Sequence, residues 1–101
     1  MTVKQVLRKL KISGDLKKYL VDSVEYCKKE KIDPLGVNLQ SKVYPYLANK
    51  YEITEVAIKC RFIKALREFN KENTDVIQNY FEVHHKITVK KLIVLLLLNT
   101  K

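Results

Sequence analysis

The stretch from Val43 to Asn70, VYPYLANKYEITEVAIKCRFIKALREFN, constrains the fold more than any other part of the chain. On both sides of Tyr51-Glu52-Ile53 its apolar residues recur three and four positions apart, the period of helices lying on a core. Two helices joined by so short a turn must pack together, which predicts a helix-turn-helix over about 39–70. Thr54 is placed to cap the second helix, and Glu55 to complement its positive end. At about 100° per residue, Ile58, Phe62, Ala65, Leu66 and Phe69 share one arc that should face the core. Ala57, Cys60, Arg61, Lys64, Arg67 and Glu68 take the opposite arc, with Lys59 on its flank.

The rest of the chain reads as further helices with no linker long enough to divide it. Val3, Val6, Leu7 and Leu10 give one apolar face to a helix over Thr2–Leu10, which Lys11-Ile12-Ser13-Gly14 should break, with Gly14 in the left-handed basin. Ser13 or Asp15 can cap a second helix that runs to about Glu30. Pro34 and Gly36 mark a turn. A third helix over Leu39–Lys50 contains Pro45, so it should either start nearer Val43 or bend there. The fourth should end near Asn70, Asn73 or Thr74 should cap a fifth that ends near Phe81, and Thr88 a sixth that runs to Leu98. The predicted fold class is all-α: about six short helices in a single domain over residues 1–101, containing the helix-turn-helix.

Twenty Lys and Arg against eleven Asp and Glu leave a net charge of +9, spread along the chain instead of gathered in a tail. Such a domain attracts polyanions. Combined with the two-helix unit, the charge points to double-stranded DNA as partner, with the fourth helix in the major groove. Arg61, Lys64 and Arg67 could reach base edges, and Lys59 a phosphate. Backbone N–H groups around Thr54 could hold another phosphate.

The residues also carry a family resemblance. Val43-Tyr44-Pro45, Ala48, Lys50-Tyr51, Thr54 and Ala65-Leu66 stand in the order of similar motifs in the C-terminal DNA-binding effector domain of the stage-zero sporulation regulator A family. Tyr19-Leu20 and the segment from Thr88 align with little gapping, so the chain resembles that domain well over about 30 residues and weakly over nearly all of its length. The resemblance implies six helices with a helix-turn-helix, a bacterial transcription regulator of sporulation type, and a homodimer on tandem promoter sites. The chain departs from the family at Ala57, Cys60 and Ile63, where the family has arginines, and at Lys64, where it has histidine. The family's receiver domain has no counterpart in this sequence. Those departures favour an alternative reading, a protein-interaction or regulatory module that kept the fold but lost specific DNA reading.

Other chemistry finds little footing. His84-His85 has only Glu82 as an acidic neighbour, a poor metal site. Cys27 and Cys60 follow no ligand spacing and read as buried small residues of a reduced, cytoplasmic protein. There is no Gly-rich phosphate loop, and neither an enzyme nor a cofactor is expected. Leu92–Leu98 is apolar throughout but too short to span a bilayer, which suits a buried helix or a dimer contact.

Overall fold

In a computed structural model that describes residues 1–100, the chain folds into six α-helices, with no strand among the described residues. These are α1 (Val3–Lys9), α2 (Gly14–Lys29), α3 (Tyr44–Tyr51), α4 (Glu55–Glu72), α5 (Val76–Phe81) and α6 (Val89–Asn99). A 3-10 turn at Pro34–Gly36 and a π-helical turn at Leu39–Val43 lie between α2 and α3. No described helix is long and apolar enough to cross a membrane.

Threonine opens three of the helices. The Thr2 side chain accepts from the N–H of Gln5, whose own side chain accepts from the N–H of Thr2, a reciprocal capping box. Thr54 and Thr88 accept from the N–H groups of Ala57 and Lys91 at 3.1 and 3.2 Å. Ser13 occupies the cap position of α2 without making a side-chain bond. Pro45 lies in the first turn of α3, where its missing N–H costs nothing. The segment from Leu39 is therefore not a continuous α-helix. It winds as a wider turn, with the Val43 N–H on the Asn38 carbonyl, until α3 can begin.

The helix ends hold a regularity that the sequence reading missed. At the ends of α1, α2, α3 and α5, a charged residue takes a left-handed backbone: Lys11 (φ 60°), Lys31 (54°), Glu52 (56°) and Glu82 (57°). An apolar β-branched residue follows each one: Ile12, Ile32, Ile53 and Val83. In all four, the N–H of that apolar residue bonds back five positions, to Leu7, Cys27, Ala48 and Gln78 at 2.9–3.0 Å. This is the Schellman closure, built here without glycine at the left-handed position. Gly14 is left-handed too (φ 64°), but it begins α2 instead of ending α1. Two further boundaries differ from expectation. Helix α4 runs on to Glu72, because the Asn73 side-chain amide donates to the Phe69 carbonyl and closes it. Asn73 is thus spent on α4, and α5 starts after Asp75, which is left-handed and makes no capping bond.

All six helices contribute to one contiguous core. Helix α2 is its spine, burying Leu16, Tyr19, Leu20, Val24 and Cys27. Helix α4 inserts Ile58, Phe62 and Leu66, and α6 buries Leu92, Ile93 and Leu96. The sequence reading placed both cysteines in the interior. Cys27 is buried, but Cys60 is exposed, being about half a turn round α4 from Ile58 and Phe62.

Candidate nucleic-acid interface

Helix α3 runs antiparallel to α2, tied to it at two places. Tyr26 stacks on Tyr46, with ring centroids 4.3 Å apart and planes at 22°. At the other end of α3, Tyr51 meets Tyr19 edge to face at 5.5 Å, and Tyr19 in turn leans on Phe62 of α4 at 5.6 Å. The ammonium of Lys18 lies 5.0 Å from the Tyr51 ring centre.

Asp22 completes this joint. A carboxylate only 9% exposed on α2 requires partners, and α3 supplies two. Lys50 Nζ donates to Oδ1 at 3.0 Å, and the Tyr51 hydroxyl donates to Oδ2. Burial, together with the hydrogen bond to this carboxylate, holds the Tyr51 hydroxyl well above the ordinary tyrosine pKa. The bond to Asp22 raises the Lys50 ammonium as well. The cluster fixes the last turn of α3, and with it the start of the connection to α4. An aspartate beside the apolar face of α2 was the one signal in the sequence that could have revealed it.

The connection itself is short and fully engaged. Glu52 closes α3, Ile53 packs against the core, and Thr54 caps α4. At the start of α4 the Ala57 and Ile58 N–H groups are satisfied by the Thr54 side chain and carbonyl. The N–H groups of Glu55 and Val56 remain to meet an anion.

Helix α4 presents the predicted side chains on its solvent side. Thr54, Lys59, Arg61, Lys64 and Arg67 are all exposed, as are Cys60 and Glu68. Ala57, expected on the outer arc, is half-buried, and so are Ala65 and Phe69 of the inner arc. The one ion pair among the described residues joins Lys50 to Asp22, so none of the α4 cations is held in a close ion pair, although Glu68 shares their face. They do not form a single cluster. Lys64 and Arg67 stand within about 60° of each other at the centre of the outer face, while Arg61 and Lys59 sit on opposite flanks, about 160° apart. A groove that took the central pair would leave the flanking pair beside its two walls.

The sequence reading overlooked the outward side chain of the first turn of α4. Val56 is 72% exposed, one turn before Cys60 on the same line along the helix.

No family model, curated protein or solved structure matches the chain.

Outside this surface, His84 and His85 are exposed in the segment between α5 and α6, and no group of three or more potential metal ligands occurs among the described residues. Burial raises the Cys27 thiol above its ordinary pKa, against a smaller opposing effect of Lys42.

Proposed function

We propose that this chain is the DNA-binding domain of a bacterial transcription regulator of the sporulation type, laying α4 in the major groove of double-stranded DNA. The observation that carries the reading is the cationic face of α4, with Lys59, Arg61, Lys64 and Arg67 all exposed and none in a close ion pair. Lys64 and Arg67 at its centre are suited to base-edge acceptors, and Lys59 and Arg61 on its flanks to phosphates on the two strands. The free N–H groups at the helix start add one more phosphate contact beside Thr54. The net charge of +9 draws the domain to DNA from a distance. The family resemblance adds the transcriptional role in the cytoplasm, and two copies side by side on tandem sites.

Salt dependence tests the reading directly. Each cation that displaces a counterion contributes about −0.9 to the slope of log affinity against log salt. Replacing Arg61, Lys64 and Arg67 together with Ala should lower the slope by about one unit, for the phosphate contact of Arg61, and abolish preference for a selected duplex, with helicity unchanged. A triple variant that binds as tightly as the parent, with the parent's slope, refutes α4 as the DNA-contacting face.

The apolar content of the same face favours a second reading, a protein-interaction module. Val56 and Cys60 are exposed and Ile63 is half-exposed, a strip on which a partner helix could dock. Selection of duplexes from a random pool separates the two readings. An enriched motif supports the regulator, and no enrichment at low salt supports the module.

A further inference from the structure

We propose that Val56 is a specificity determinant that reads the C5-methyl group of thymine, and that α4 as a whole is built to recognise thymine and guanine but not adenine. This rests on the duplex-binding reading above and adds to it which base edges are recognised.

The outward line of α4 divides into two chemically distinct halves. Its first two turns present Val56 and Cys60, with neither a charge nor a carboxamide between them. The next two present Lys64, Arg67 and Lys71, with Glu68 beside Lys64, all exposed. In the major groove the only apolar feature of a base edge is the methyl group of thymine, and the paired acceptors O6 and N7 are those of guanine. Bidentate recognition of adenine needs Asn or Gln, and the outer face of α4 has neither: Asn70, its only carboxamide, is half-buried on the flank. Val56 is the one large hydrophobic side chain of this helix that is exposed, at 72%.

A valine so exposed at the leading end of a helix costs solvation in the free protein. The cations on the same helix supply the charge complementarity that brings a nucleic-acid groove against it. The rise of about 1.5 Å per residue puts Val56 about 12 Å from Lys64, roughly three to four base-pair steps along the groove. The favoured site therefore carries a thymine at one end of the footprint of α4 and guanine about three to four steps away.

The test uses the full chain and a duplex selected from a random pool. Deoxyuridine is then placed at each thymine in turn, which removes one methyl group and nothing else. Burial of one methyl group corresponds to about a fourfold change in affinity. One thymine should show this loss with the parent, and the loss should vanish with Val56→Ala, an exposed substitution whose helicity can be checked directly. Two results leave duplex binding standing and overturn the assignment of Val56: a selected motif in which no deoxyuridine weakens binding, or the same fourfold loss in Val56→Ala. Absence of any selected duplex removes both this proposal and the reading beneath it.

Discussion

Tyr51 can be removed from its joint almost atom by atom. Replacing it with Phe keeps the ring against Tyr19 and beneath Lys18, and deletes only the hydroxyl that donates to Asp22. A hydrogen bond to a charged group is worth about 1.5–3 kcal/mol, and one edge of this joint is open to water, so a loss of about 1.5 kcal/mol is expected. Asp22→Asn weakens the same bond and also removes the attraction to Lys50. The Lys50 side chain is 44% exposed, so solvent screens the latter and it adds little. Each single variant should therefore lose about 1–2 kcal/mol, and the double variant clearly less than the sum, with a coupling of about 1 kcal/mol. Urea unfolding of the four proteins reads this as midpoint shifts at constant slope. Alkaline pH gives an independent reading. The folded-state pKa of Tyr51 lies above its unfolded value of 10.0, so its stabilisation is whole below that pH and is lost as pH rises further. The gap between parent and Tyr51→Phe should narrow above about pH 10. Losses that add within about 0.3 kcal/mol, or a gap unchanged at high pH, refute the joint as described.

The helix ends and the thiols give two more tests. Glu52→Gly and Glu82→Gly each relieve a left-handed non-glycine residue and remove a negative charge from a negative helix end, so each should gain about 1 kcal/mol, or about 4–8 °C in Tm. Lys11→Gly and Lys31→Gly relieve the same strain but lose a favourable cation, so thermal melting should rank them below the glutamate pair; equal gains in the two pairs would show that the local charge does not matter. Cys60 should react with a thiol reagent in the folded protein while Cys27 stays protected until unfolding, as mass spectrometry of the labelled peptides can show.

The helices themselves were legible in the sequence because each carries its own period and, at Thr54 and Thr88, its own threonine cap; Thr2 caps α1 where it was expected inside the helix, and Thr74 caps nothing. The inner arc of α4 was legible for the same reason, and so was the exposure of Arg61, Lys64 and Arg67 opposite it. The stops were harder to read. A search for glycine at helix ends passes over Lys11, Lys31, Glu52 and Glu82, because the left-handed residue is set by backbone closure and by the apolar residue after it, not by its own side chain. Periodicity also says nothing about partners between helices. Asp22, Lys50 and Tyr51 come together only once α3 lies antiparallel along α2. Val56 is hard to read because a first-turn residue belongs to no visible stripe, and Cys60 because cysteine is usually a buried residue while position 60 falls on the outer arc of α4.

The three residues between α3 and α4 have a mechanical consequence. Glu52 is committed to ending one helix, Thr54 to starting the next, and Ile53 is held by the core. No residue is left over to serve as a hinge. The angle between the two helices is therefore set when the chain folds, and α4 cannot swivel on α3 to follow an irregular surface. A partner that departs from the shape of this pair has to deform itself, and the energy of that deformation becomes part of how the protein chooses among surfaces.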